Sequence, residues 1–228
     1  MHKTKQAAFT MLELVMVIVV LGILAALAMP RVKRDISQEA ADNILSAIRY
    51  TQHLALTDNV KGNDGAGTVA FRKRWHRSFW RFGIQKCSDT GLFYYIGSDR
   101  DREGNIDANE EALDPMNGLR LNGLNTSNCA QTIQNGSSPN IFITKKYGIS
   151  DGGVTYSGGC SAAAKHIAFD YLGRPHTAIT SSNTPDYATV LKQDCNLTFN
   201  FDDAEYASFT VTIEKETGHA FIVGQPDS

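Results

Sequence analysis

No long run of one charge unbalances this chain: 22 Lys and Arg stand against 24 Asp and Glu, a formal net charge of −2. That excludes a globally basic nucleic-acid binder, though not a local basic patch. No CxxC pair occurs, and no His stands at zinc-finger spacing from a cysteine, so structural zinc has no ligand set. G-x-S-x-G, the P-loop and H-E-x-x-H are all missing. His166 and Asp170 are four residues apart, but on an expected strand, which separates them by roughly 13 Å. No catalytic constellation is left, and the chain reads as a non-enzyme. Cysteine is absent from the first 86 residues; Cys87, Cys129, Cys160 and Cys195 all lie beyond them.

Charge is nearly missing from one stretch. Phe9–Met29, FTMLELVMVIVVLGILAALAM, carries only Glu13. As a helix it spans roughly 31 Å, close to the ~30 Å hydrocarbon core of a bilayer. The run is too long for the apolar part of a cleaved secretory signal, and the small pair Ala7-Ala8 precedes it instead of following it. The segment is therefore expected to be retained. A carboxylate inside such a span costs a few kcal/mol or more and usually marks a partner or a function. Lys3 and Lys5 precede the span while Arg31, Lys33 and Arg34 follow it, so flanking charge does not orient it.

From Val32 to about Asn59 the pattern turns amphipathic. Ile36, Ala40, Ile44, Ala47, Ile48, Thr51 and Ala55 recur at i, i+3/i+4 spacing, and Asp35, Glu39, Asp42, Arg49 and Gln52 fall largely elsewhere. This predicts one long helix, bent at Pro30, with residues 30–60 packed on a globular part. Asn59–Gly67 ends it with glycine-rich loop chemistry. The rest reads as strands: Thr68–Trp75, Ser78–Gln85, Leu92–Gly97, Asn140–Tyr147, His166–Tyr171, Asn196–Phe201, Ala207–Lys215 and His219–Val223, the last two closed by a hairpin at Glu216-Thr217-Gly218. The expected fold is α+β, a long N-terminal helix packed on an antiparallel sheet or two small sheets.

Two clusters carry chemistry. Asp99, Asp101, Glu103, Asn105, Asp107 and Glu110 stand at positions 1, 3, 5, 7, 9 and 12 of a twelve-residue EF-hand-type loop, with Gly104 at the sharp turn. Calcium takes six to eight hard oxygens, and this spacing supplies carboxylates plus the Asn105 carbonyl. Ca2+ is thus the expected ligand, in an insertion near residues 88–139. Glu103 departs from the usual Asp or Asn, and no helix is expected before the loop. The second cluster runs from Arg72 to Arg81 and interleaves basic with aromatic residues. Arg72, Arg74, Arg77 and Arg81 are candidate nucleic-acid contacts; the favoured reading is a hairpin with a basic solvent face and aromatics in the core.

An even number of widely spaced cysteines reads as two disulfides in an oxidising compartment. Sequence allows three pairings. We pair Cys160 with Cys195, which leaves Cys87 with Cys129.

Ala8-Phe9-Thr10-Met11-Leu12-Glu13 ahead of an apolar helix resembles the leader of type IV pilins and pseudopilins. The resemblance implies a leader at 1–8, cleavage between Ala8 and Phe9 by prepilin peptidase, methylation of the new N-terminus, and Glu13 as fifth mature residue. In that family the residue before the cut is usually Gly, and Pro30 matches a helix-bending position. It further implies a span at 9–29, an amphipathic continuation at 30–60 and a β-rich head at 61–228. The protein would sit in the bacterial inner membrane, N-terminus cytoplasmic and head periplasmic, with other pilins and an inner-membrane assembly platform as partners. Phe169 followed by Gly173-Arg174 before the last strands resembles the turn of H-type minor pseudopilins and FimT-like minor pilins; the latter act in DNA uptake. The implied role is a structural subunit of a type II secretion pseudopilus or type IV pilus. Its rivals are a DNA-binding pilin and a signal-anchored periplasmic binding protein.

Overall fold

The computed structural model describes residues 10–58, 68–88, 90–123, 136–179, 181–184 and 186–225, with 26–35 as backbone alone. Its first element is α1, Met11–Thr57, which runs unbroken through position 30. The two halves of α1 differ in what they touch. Leu12, Val15, Ile18, Leu21 and Leu24 are all more than half exposed, whereas Ala40, Ala41, Ile44, Leu45, Ala47, Ile48, Thr51 and Ala55 are buried. The second half is the face expected from the apolar spacing. Its polar residues do more than face solvent. Arg49 donates to the Ala220 carbonyl from Nε (3.1 Å) and Nη2 (2.7 Å). Gln52 Nε2 donates to the carbonyls of Gly173 (2.9 Å) and Thr217 (2.8 Å). At the helix end, Asp58 accepts from Trp80 Nε1 at 2.9 Å.

Two four-stranded antiparallel sheets pack against this half of α1. The first has the order β2-β1-β4-β5, with β1 Trp80–Cys87, β2 Gly91–Gly97, β4 His166–Phe169 and β5 Pro175–His176. The second has the order β3-β6-β7-β8, with β3 Ile149–Gly158, β6 Cys195–Phe201, β7 Phe209–Ile213 and β8 Ala220–Ile222. A single core joins them, with Ile44 and Ile48 of α1, Phe82 and Phe93 of the first sheet, and Phe199 and Val211 of the second all buried. The α+β class expected from the sequence is the class observed. Gly83 permits the close approach of β1 and β2: a Cβ there would lie 2.4 Å from the Tyr95 ring.

Two expected strands are helical. Residues 68–75 form α2, Val69–Lys73, whose N-cap Thr68 accepts from the Phe71 amide, and then a 3-10 turn. Alternating arginines suggested a strand; the cap and the seat of Arg102 on the Phe71 ring, 4.2 Å from its centroid, hold a helical turn instead. Residues 140–147 form a 3-10 turn with Pro139 in its first turn, then α3, Ile143–Tyr147, closed by Gly148 at φ +77°. Ile141, Phe142, Ile143 and Tyr147 are buried there while Lys145 and Lys146 face outward. β3 was not expected, because SDGGVTYSG has the composition of a loop; it is an edge strand carried by pairing with β6 across a register shift.

Candidate functional site

At the start of α1, Thr10 and Glu13 cap the helix reciprocally. The Glu13 amide donates to Thr10 Oγ1 and the Thr10 amide donates to Glu13 Oε2, each at 3.3 Å. Thr10-x-x-Glu13 is the S/T-x-x-E signal of a capping box. The carboxylate thus also satisfies a backbone donor of its own chain. Ala8 and Phe9 lie outside the described residues, as does the side chain of Pro30.

The acidic loop hangs from the end of β2. The structure brings Asp99, Asp101 and Glu110 together, with one carboxylate oxygen from each within 4.8 Å of the others. Asp99 and Glu110 are buried and Asp101 is exposed. Asp99 Oδ1 accepts from the Glu103 amide (3.0 Å) and Oδ2 from the Gly104 amide (2.9 Å). Glu110 closes the loop on itself: Oε1 accepts from the amides of Arg100 (2.6 Å) and Asp101 (2.9 Å), Oε2 from that of Asp107 (2.9 Å). Gly104 has φ +110°, as the sharp turn requires. Burial, the neighbouring Asp101 carboxyl and the Glu110 charge push the Asp99 carboxyl up to about 6, against the pull of Arg81 and the Gly104 amide. Crowded acids of this kind are the condition a hard cation relieves. The carboxylates of Glu103 and Asp107 do not join the three, and Glu103, Asn105 and Asp107 are exposed. Of the six residues expected from the spacing, three bring their carboxylates together.

The basic cluster does not form the open hairpin face expected of it. Arg74 Nη1 and Arg77 Nη1 both donate to the Arg102 carbonyl at 3.2 Å, and Arg77 also donates to the carbonyls of Ser181 and Ser182. Arg81 is 9% exposed, 3.7 Å from Asp99 Oδ2. Three of the four candidate nucleic-acid residues are thus engaged in holding the acidic loop and its surroundings. Arg72 and the adjacent Lys73 are exposed on α2.

Cys160 and Cys195 are joined as expected, and Cys87 is disulfide-bonded. Cys129, its expected partner, lies outside the described residues.

Residues 3–29 match the prokaryotic N-terminal methylation motif. The match supports a type IV pilin-like protein processed by prepilin peptidase, and it covers the leader and the apolar run on which the resemblance was built. No curated protein and no solved structure matches the chain. Among the described residues no helix is long and apolar enough to cross a membrane; the run Phe9–Met29 extends past the described side chains at both ends. Against the methylation motif, the Thr10–Glu13 cap gains meaning. Its N-cap, Thr10, stands one residue after the expected mature start, and the helix begins at Met11.

The surroundings of the half-buried His166 are marked by nothing local in the sequence. His166 accepts from the Ile179 amide through Nε2 (3.1 Å), while Nδ1 faces the Ala164 carbonyl (2.9 Å). The first contact needs a lone pair, so it fixes the neutral ring. Burial, with Arg81 nearby, lowers its pKa to about 4. The unfolded ring titrates near 6.5. Below that pH the unfolded chain takes up a proton that the folded ring refuses. Stability from this group is expected to be nearly full above about pH 7 and to fall by about 3 kcal/mol towards pH 4. Urea midpoints across that range, for the wild type and His166→Gln, check it; the variant should show the shallower slope.

Proposed function

We propose that this chain is a minor pilin or pseudopilin, a structural subunit of a type II secretion pseudopilus or type IV pilus. Its work is assembly and not catalysis. The observation that carries the reading is the methylation motif leading into a single helix whose first half bares its apolar side chains and whose second half is the spine of the head. On this reading prepilin peptidase cuts before Phe9. The 9–29 segment holds the protein in the inner membrane with the head periplasmic, and the assembly platform then moves that segment into a filament of other pilins. Glu13 pairs with the α-amine of a neighbour's Phe9 and sets register.

Mass spectrometry of the mature protein tests the reading: a methylated Phe9 start supports it, and an intact Met1 sinks it. Glu13 offers a sharper test, because its two roles separate. Glu13→Gln keeps the cap, which accepts Gln as well as Glu, but loses the charge. Cleavage is expected to proceed in that variant while its incorporation into sheared filaments falls at least tenfold. Normal incorporation would confine Glu13 to capping.

Calcium belongs to the same proposal. Asp99, Asp101 and Glu110 would hold the ion, and its charge would neutralise the crowded acids and stiffen the insertion. Asp101 is the residue to change, since Asn keeps its acceptor for the Glu103 amide (3.0 Å). Calcium is expected to raise the Tm of the wild type by several degrees over a chelator-treated sample, and Asp101→Asn should lose most of that rise. An equal rise in the variant, or none in the wild type, removes calcium from the account.

A further inference from the structure

Asp114 is a buried carboxylate without a counter-ion. It is 5% exposed, and among the described residues no Lys, Arg or His pairs with it. Lys146, on α3, is held instead by Asn140 Oδ1 at 2.9 Å and Glu39 Oε1 at 3.3 Å. The carboxylate is kept ionised by its own loop. Burial alone would raise its pKa, but hydrogen bonds from Ser138, the Met116 amide, Asn140 and Asn117 hold it below the usual carboxylate range. Those bonds fall unevenly. Oδ2 accepts from Ser138 Oγ (2.5 Å), Asn140 Nδ2 (3.1 Å) and Asn117 Nδ2 (3.1 Å), whereas Oδ1 accepts from the Met116 amide alone (2.9 Å).

This residue lines a pocket of about 210 Å³ between α1 and the insertion. One face of α1 supplies Asn43, Ala47 and Tyr50, with Tyr94 and Leu121 facing them and the exposed Met116 and Ser46 at the mouth. Asn43 Oδ1 is buried there with no hydrogen-bond partner. Both tyrosines feel the Asp114 charge, which together with burial raises their pKa values. The pocket therefore combines an ionised carboxylate, a spare amide acceptor and two tyrosine rings with apolar walls. The one charged side chain in the lining is negative, and aromatic faces attract cations. The volume is below the ~300–1,000 Å³ of pockets that take drug-sized ligands, so the guest is the size of one side chain.

We propose that this pocket binds an alkylammonium group on a slim apolar stem, the chemistry of a lysine side chain or of a small free amine. The ammonium sits between Asp114 and Asn43 against the tyrosine rings, and the stem lies along Ala47, Leu121 and Met116. The site is independent of the acidic loop and of the basic cluster.

Calorimetry on the full chain in detergent at pH 7, with n-butylammonium chloride, N-acetyl-lysine-methylamide and n-butanol as probes, tests it. At least one ammonium probe is expected to bind saturably and at least tenfold more tightly than n-butanol. Asp114→Asn should abolish that preference. Because Asp114 also organises its own turn, Ser46→Lys is the deciding variant: it carries an ammonium to the mouth on a surface helix position and should weaken n-butylammonium binding at least tenfold. Binding of the lysine derivative assigns the guest to a side chain of another polypeptide; binding of n-butylammonium alone assigns it to a free amine. The proposal is overturned if neither ammonium probe saturates, if n-butanol binds equally well, or if Ser46→Lys leaves n-butylammonium binding unchanged.

Discussion

Asp170→Ala is expected to destabilise the protein by about 3–5 kcal/mol, the usual result of stripping one partner from a buried, hydrogen-bonded charge. Asp170 is 1% exposed. Its Oδ1 accepts from the amides of Leu172 (2.9 Å) and Arg174 (3.0 Å), and its Oδ2 from Arg174 Nε and Nη2, both at 2.8 Å. His176 Nε2 lies 3.5 Å away, too long for a good hydrogen bond but close enough to favour the charged carboxylate. The same residue closes the turn through its backbone: its amide donates to the Arg174 carbonyl (3.1 Å) and its carbonyl accepts from the Gly173 amide (2.8 Å). Gly173, at φ +76°, then offers its own carbonyl to Gln52 of α1. Loss of Asp170 therefore loosens the helix from the first sheet as well as the turn. Burial raises its carboxyl pKa, but His176, Arg174 and the turn amides outweigh that and leave it lowered. A lowered folded value means that the stabilisation is present above the unfolded carboxylate pKa, near 4, and is lost as pH falls through the folded one. Urea unfolding at pH 7 measures the deficit of Asp170→Ala, and the gap from wild type should narrow at pH 3. A variant within 1 kcal/mol of wild type at pH 7 would contradict this account.

Removing the Cys160–Cys195 bond should cost about 4 kcal/mol in the chain-entropy model. The two cysteines are 35 residues apart, and the backbone already places them side by side, with Gly158 opposite Cys195 in the β3–β6 ladder. What lies between them explains why the bond matters. The enclosed segment leaves the second sheet, contributes β4 and β5 to the first, and returns to begin β6. The disulfide closes that excursion at its base. In the unfolded chain the same link shortens the search that brings the two sheets together. Cys160→Ala/Cys195→Ala is expected to lower the urea midpoint without changing the folded far-UV circular dichroism. An unchanged midpoint would contradict this account, since the variant removes both the covalent link and the packing of the fully buried Cys195.

The parts of this fold that were legible in the sequence are those written in periodicity and spacing. The α1 face from Ile44 to Ala55 repeats the helical period, and the strands of β1, β2, β4 and β6 are apolar runs bounded by turn residues. The Cys160–Cys195 pairing agreed as well. What failed has a common cause: contacts distant in sequence decided it. The segment 68–75 alternates like a strand, but Arg102, some thirty residues on, donates to the Phe71 carbonyl (2.7 Å) and seats on its ring. β3 is poor in apolar residues and exists through its ladder with β6. In the acidic loop, spacing singled out Asp99, Asp101 and Glu110, whose carboxylates do meet, but could not show that Glu103 stays exposed outside that group. Arg74 and Arg77 read as free cations because nothing local reveals the Arg102 carbonyl between them. Asp114 carried no motif, since two of its four donors, Ser138 and Asn140, come from the far side of the insertion.

The unbroken course of α1 has a mechanical consequence. Its bared half and its buried half belong to one continuous helix, so a pull at the apolar end is carried along α1 to the core. Arg49 and Gln52 tie the helix sideways to the Ala220, Gly173 and Thr217 carbonyls. Axial tension loads those bonds in shear, all together with the interlocked Ile44 and Ile48, instead of peeling them one by one. A pull on the helix is thereby shared among many contacts of the head at once.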